Sequence, residues 1–469
     1  MDTVIVGGGA AGMAAAIAAA MRGQRVTVLE RNRKPLKKLG VTGNGRANLL
    51  NSGAPRYFGD AAFAEQVLTQ VGFDALAVFF ADLGVPLRSE SEGRVYPAAL
   101  LASVAVDALL LRARQLNIDI RTGATVARIA RRGDRFAVEG LAARDAGEAA
   151  PARGKTAKPA QDLPAPEPFA LRADRVIVTV GGAAAPAHGT DGSAYGLLTA
   201  FGHKLIPVKP ALCALLTEPE GIRGLSGQRL KARVSLHAKG GALLHAAEGE
   251  ILFGDDAVSG IAAMQLARFY APGATLRLDA SAATGWVADA DGEDLDATVT
   301  GKPAPGGAGH ITGALMPMGG GENREIILAQ LRRLQALRMD CPLGELFTGV
   351  VTPAVARLWR VQAGLGDPTV PVSVLRDGDL QRLAATLGDI RLPITGTRGF
   401  SQAQVTAGGI ATAEFDPATL QSRLCKGLYA AGEVLNVDGD CGGFNLMFAF
   451  ASGLIAGRQG EASAVGGEQ

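Results

Sequence analysis

The chain has 469 residues, of which 48% are hydrophobic and 20% charged, and a formal net charge of +2. That length exceeds one ordinary core and suggests about two to three domains. The near-neutral balance gives no general pull toward polyanions or acidic membranes, and Cys213, Cys341, Cys425 and Cys441 lack the spacing of a disulfide framework or a zinc site.

Residues 3–12 read TVIVGGGAAG, a β-branched run feeding Gly7-x-Gly9-x-x-Gly12, then an Ala-rich helix and the strand RVTVLE ending on Glu30. Strand, glycine turn, helix, strand and acid in that order describe a βαβ unit around an adenine dinucleotide. Gly7 suits the tight turn, Gly9 lets backbone approach a pyrophosphate, and Gly12 lets helix and sheet pack closely. The helix start supplies unpaired N–H groups, and Glu30 would accept from ribose hydroxyls. Asp2 stands where a signal peptide carries basic residues, so no leader is expected and the expected compartment is the cytoplasm.

Residues 31–51 are basic and glycine-rich, which predicts an extended loop. Spacing near 3.6 predicts helices over 61–83 and 98–116 around a small hairpin, followed by two or three strands to about 140. Residues 141–168 turn to Ala, Pro, Gly and charge, which predicts a disordered loop. Arg175 to Val180 reads as a buried strand ending in Gly181 and Gly182. The expected division is a dinucleotide domain over 1–193, a β-rich barrel-like insertion over 194–321, a small helical subdomain over 322–393, and the rest of the dinucleotide domain over 394–469. In that last part GLYAAG is a strand running into Gly432-Glu433, and the apolar run 445–457 is shorter than the roughly 20 residues a bilayer needs, so it reads as a buried helix and no membrane is expected.

The fingerprint suits NAD or FAD. No second GxGxxG follows a strand, and the strand with Gly432-Glu433 resembles the closing element of FAD enzymes of the glutathione-reductase type, so FAD is the expected cofactor. Four long segments then match in order: KKLGVTGNGRANLLN, VGGAAAPAHGTDGSAYGLLTAFGHKLIPVKPAL, QVTAGGI and GLYAAGEVLNVDGDCGGFNLMFAFASGLIAG. On these the chain is similar over nearly its whole length to the BaiN/YhiN-like NAD(P)/FAD-dependent oxidoreductases, also called aminoacetone-oxidase-like FAD enzymes.

The resemblance implies an α/β fold, a Rossmann-like FAD-binding domain of the glutathione-reductase type interrupted by a β-barrel and a small helical domain. It implies that Gly7, Gly9, Gly12 and Glu30 hold the ADP half, with Lys38, Arg46 and Asn48 along the following loop. Val126 would present backbone to adenine and Gly181 would approach from the next strand end. Gly432, Glu433, Gly443, Asn445 and Leu446 would surround the pyrophosphate and isoalloxazine. Two departures matter. The family loop commonly reads GGGRCN, and Ala47 here removes that cysteine. The barrel segment reads Phe253 to Gly260, where Asp255 matches a Thr-Asp variant without its threonine or proline.

A flavin passes hydride at N5, so the protein's part is an acid or base nearby. Asp255 is one candidate. Cys441, before the last helix, is another, because a helix N-terminus can lower a thiol pKa. His188, His203, His237, His245 and His310 show no metal-ligand spacing, so no metal is expected. The expected activity is NAD(P)H-dependent reduction of a polarised C=C bond, NAD(P)H binding transiently as reductant. The resemblance offers two substrates, a uracil in ribosomal RNA, which is preferred, and a small steroid-like enone. A flavin amine oxidase using O2 and a non-catalytic FAD-stabilised RNA- or protein-binding module stand as alternatives. The sequence leaves the oligomeric state open.

Overall fold

The computed structural model describes residues 1–143, 165–286 and 321–460. Two compact units are present: 1–210 with 403–469, and 211–402.

The first unit is built on a five-stranded sheet. Its strands are β1 (Asp2–Val6), β2 (Arg25–Glu30), β3 (Asp119–Thr122), β4 (Arg175–Val178) and β5 (Leu428–Ala430), in the spatial order β5-β4-β1-β2-β3. All four pairings are parallel, with Ile5 opposite Ile177 and Val28, and Ile177 opposite Tyr429. Central parallel strands are covered on both faces, which is why VIV and RVIV are apolar without alternation. Between β1 and β2 runs α1 (Ala10–Met21), and the chain returns at its far end as α2 (Phe444–Arg458). Buried around nearly its whole circumference, α2 is the internal helix that its length suggested. It lies directly against α1. A Cβ on Gly453 would stand 2.3 Å from the Ala11 carbonyl oxygen, and one on Gly457 2.3 Å from that of Ala15.

Several boundaries differ from expectation. The helix expected over 61–83 is two, Ala61–Gln70 and Phe73–Asp82, bent by 53° at Val71 and Gly72. The ends of the expected loop 141–168 are strand: Arg135–Ala142 pairs with Glu167–Ala173, bringing Leu141 opposite Pro168. Residues 144–164 between them lie outside the described residues, as do 289–310. The loop after β2 is partly coiled, with turns at Leu39–Val41 and Thr42–Gly45. It is pinned by buried Leu36, Leu39, Ala47, Leu49 and Leu50. The first unit runs past 193 to Pro210 because Leu205–Ala211 pairs with Val405–Ile410.

The second unit holds a closed six-stranded barrel, in the order Leu215–Thr217, Ala257–Ser259, Leu243–Phe253, Arg229–His237, Thr275–Asp279, Ile390–Thr397. Alternate residues fill it, among them Val234 and Leu236, Leu276 and Leu278, and Ile390, Leu392 and Ile394. The closing strand falls within segments expected to be helical subdomain and returning domain. The helices Gly321–Leu337, Pro353–Gln362 and Asp377–Leu387 therefore stand between two barrel strands rather than after the barrel. No single helix among the described residues is long and apolar enough to cross a membrane.

Candidate functional site

Backbone groups dominate the crevice at the carboxyl ends of β1, β2 and β4. Gly7 has φ 105° and a Cβ there would stand 2.5 Å from the Thr179 carbonyl oxygen, so the turn admits only glycine. A Cβ on Gly12 would fall 1.9 Å from the Gly7 oxygen, while Gly9 faces open space. The first turn of α1 carries no capping side chain and no acidic residue. Its N–H groups and the positive end of its dipole are left for an external anion.

Glu30 is 7% exposed and holds the turn as well as the crevice. One carboxylate oxygen accepts from the Gly8 N–H at 2.7 Å; the other accepts from the Asn32 backbone N–H at 2.8 Å and its side-chain amide at 2.6 Å. A carboxylate offers about four acceptor positions, so one remains for a ribose hydroxyl. Gly7, Glu30, Arg31, Val126, Gly181 and Tyr195 all line a cavity of about 310 Å³. Val126 is paired with Gly140 just before its strand shifts register, Ala127 being the extra residue at the shift. Arg31 and Asp191 join across two walls at 3.1 Å, and the Arg31 and Ser193 hydrogen bonds hold the Asp191 carboxyl down at about 2.

A second group of residues ties β4, the returning chain and the basic loop together. The Lys38 ammonium meets Glu433 Oε2 at 2.8 Å, and Glu433 Oε1 accepts from the Thr406 N–H at 2.9 Å. Thr406 Oγ1 in turn accepts from the N–H groups of Ala183 and Ala184 at 2.8 and 3.0 Å. Lys38 is thereby neutralised by protein, and Lys37 donates to the Ala187 carbonyl. Gly432 packs between α1 and α2, its N–H bonded to Ser452.

At the third corner Gly443 caps α2 with φ 104°, packed against the Leu50 oxygen and Asn48 Oδ1. Asn51 Nδ2 donates to the Gly442 carbonyl at 2.7 Å, so the loop 42–51 is fastened to the helix start. No capping side chain or acidic residue covers this start either. Asn445 turns its amide back onto Gly439, at 2.8 and 2.9 Å, leaving its backbone rather than its side chain for a ligand. Leu446 is partly buried beside it, and Arg46 is exposed with no ion pair among the described residues.

Of the two expected chemical residues, Cys441 lies at this corner. Burial pushes its thiol up rather than down, opposite to the direction expected from the helix end. Tyr96 is packed nearby and its phenol is pushed up by burial too, Cys441 being among the neighbours that act on it. Asp255 belongs to the barrel unit, exposed in a turn, while the next residue, Asp256, is held by Arg398. Sequence reasoning missed Thr406, Tyr96 and Tyr195. Thr406 lies inside QVTAGGI, whose match to the family was its only signal. No group of three or more potential metal ligands occurs among the described residues, and His310 lies outside them.

An open helix start aimed at a glycine turn, a ribose acceptor and a cavity behind them fit the dinucleotide. The HI0933-like protein Rossmann domain family matches residues 1–150 and 162–459. A 3-dehydro-bile acid delta(4,6)-reductase of Clostridium scindens is 32% identical over 467 residues, 97% of each chain. A ribosomal RNA dihydrouridine synthase of Escherichia coli is 24% identical over 463 residues, 96% of each. Among solved structures, a 3-ketosteroid-delta4-(5alpha)-dehydrogenase of Rhodococcus jostii is 16% identical, with a TM-score of 0.44 over 97% of this chain and 95% of that one. With its Rossmann sheet, its glycine turn and a whole-length relative of that identity, the chain belongs to the HI0933-like family and is an FAD-dependent oxidoreductase.

Proposed function

We propose that the protein uses NAD(P)H to reduce a C=C bond conjugated to a carbonyl, in a small enone. The support is the 32% identity, across 97% of both chains, with a relative whose name gives a 3-dehydro-bile acid as substrate. A uracil ring in ribosomal RNA presents the same conjugated bond and is the second reading, favoured by the 24% relative. The difference in identity reverses the preference for RNA that the sequence alone suggested.

Bound FAD supplies the hydride chemistry. The chain's own residues hold the dinucleotide at the two open helix starts, position it through Glu30 and the Lys38–Glu433 pair, and provide a proton. Reducing a conjugated bond requires an acid, whereas oxidising an amine requires a base. Burial pushes the Cys441 thiol and the Tyr96 phenol up, so each stays in the acid form that a proton donor needs to a higher pH than it would in water. Cys441 is the proposed donor, and Asp255 is the second candidate.

Anaerobic mixing tests the reading. NADPH or NADH should bleach the yellow protein, and a 3-oxo-4-ene steroid should restore the colour. Restoration by unmodified ribosomal RNA alone would transfer the proposal to RNA, and bleaching by an amine instead of a nicotinamide would overturn it. Cys441→Ala should slow colour return by about 100-fold, the usual scale of a lost general acid, with bleaching unchanged. In the wild type that step should stay flat through neutral pH and fall only above the ordinary thiol range, because a raised pKa preserves the acid form to higher pH. An unaltered rate in Cys441→Ala would remove Cys441 from the chemistry and direct the same test to Asp255→Asn.

A further inference from the structure

Tyr96 stands in the middle strand of a small sheet, Arg94–Pro97 between Leu50–Asn51 and Leu87–Ser89, with Val95 opposite Leu50 and Tyr96 opposite Arg88. Alternation turns Val95 into the core and puts Tyr96 on the other face with Arg94. Two hydrogen-bonded ties fasten this sheet to the start of α2. The Val95 N–H donates at 3.3 Å to Asn48 Oδ1, the oxygen that packs against Gly443, and Asn51 Nδ2 donates to the carbonyls of Glu92 and Gly442 at 3.2 and 2.7 Å. A Cβ on Gly43 would stand 3.6 Å from the Tyr96 ring. The ring is thus held against the loop 43–48, at one of the two open helix starts proposed to hold the dinucleotide. Its hydroxyl differs from those of the other four tyrosines. Tyr57, Tyr270 and Tyr429 donate to the Phe444 carbonyl, the Thr395 carbonyl and Gln421 Oε1 at 2.9, 3.0 and 3.1 Å, and the Tyr195 oxygen is sealed from solvent. Tyr96 is only 9% exposed, yet its hydroxyl remains open to solvent and donates to no described residue.

A rigid ring buried to its edge, with a free donor at its open end, fixes where a small acceptor can sit. We propose that Tyr96 is a substrate-binding residue whose hydroxyl donates a hydrogen bond to the carbonyl oxygen of the conjugated substrate, an assignment that rests on the reduction proposed above. When the hydride supplied by NAD(P)H adds to the β-carbon, an electron pair moves through the α-carbon onto that oxygen. The Cys441 proton then goes to the α-carbon and the pair returns from the oxygen, leaving a saturated ketone and a thiolate that regains its proton from water. A fixed donor at the oxygen stabilises the charge as it forms. Arg46 and Arg94 bring positive charge to bear on the same phenol, and Cys441 lies near enough to act on it. Burial outweighs the pull of both arginines and pushes the phenol up, so the hydroxyl stays a donor to a higher pH than it would in water.

Tyr96→Phe keeps the ring and removes a hydroxyl that bonds to nothing within the chain, so the variant should fold as the parent does. Binding to the oxidised holoprotein without nicotinamide, read from the change in flavin absorbance, gives the test. Two probes are compared, a 3-oxo-4-ene steroid and the same 4-ene steroid lacking the 3-oxygen. Tyr96→Phe should raise the Kd of the oxo steroid by about 3- to 10-fold, the scale of one neutral hydrogen bond, and leave that of the deoxy steroid unchanged. Its Kd for FAD should equal the parent's. An unchanged Kd for the oxo steroid, where the parent binds it, would overturn the assignment and leave the proposed reduction standing. Equal losses for both steroids would show lost packing, and a raised Kd for FAD would give the hydroxyl to the cofactor; either overturns the assignment. Failure of the parent both to bind the oxo steroid and to regain colour from it would overturn the enone reading and the assignment together.

Discussion

Gly12→Val protein should purify without colour. The substituted Cβ would stand 1.9 Å from the Gly7 carbonyl oxygen and 2.7 Å from Thr179 Oγ1. The nearer atom is backbone, so no side-chain rotation relieves the overlap. The start of α1 must then lift from the glycine turn, moving the N–H groups proposed to receive the pyrophosphate. We expect FAD affinity to fall by at least about 100-fold, or about 2.7 kcal/mol, well within the usual cost of overpacking compounded by loss of the anion site. Gly9→Ala is the informative companion. Nothing lies within 4 Å of its added methyl, so the FAD-free protein should be as stable as the parent. Its flavin affinity should still fall, because the methyl occupies the space through which backbone approaches the phosphates. Yellow Gly12→Val protein with full flavin content would dispose of the site as described.

The second large effect concerns the contact between α1 and α2. In an exposed helix, Gly→Ala stabilises by about 1 kcal/mol. At Gly453 the added methyl would press to 2.3 Å from the Ala11 carbonyl oxygen, so the sign should reverse and Gly453→Ala should destabilise the protein. Gly453→Leu should cost about 3 kcal/mol or more, the upper range for overpacked cores. The measurement is the urea midpoint of the FAD-free protein, followed through the first unit's transition. A midpoint unchanged or raised in Gly453→Ala would mean that the two helices are farther apart than described.

The sequence made the cofactor turn readable because its parts are local. Gly7, Gly9, Gly12 and Glu30 lie within 24 residues and each needs only its own segment. The same locality made α2 readable as a buried helix. What was hidden depends on pairing across the chain. Thr406 matters because it accepts from Ala183 and Ala184, more than 200 residues earlier, and no periodicity records that. Ile390–Thr397 follows a helical stretch and looks like its tail until five other strands define a barrel with a gap. Cys441 carried a motif-level argument for a lowered pKa, and burial reversed it; desolvation depends on neighbours that a linear reading does not supply. Asn445, expected beside the cofactor, lies in the first turn of α2, where its side chain serves Gly439.

The discontinuity of the first unit also bears on biosynthesis. β1, β2 and β4 leave the ribosome early, whereas β5 and α2 emerge only after the whole of 211–402 has been made. At about 5–20 residues per second, the early strands wait on the order of ten seconds or more for the pieces that cover them. The interposed unit is contiguous and needs nothing from either flank to close its barrel. Stable flavin loading is therefore expected only after β5 and α2 have emerged, and nascent chains stalled before residue 428 should be unable to retain it.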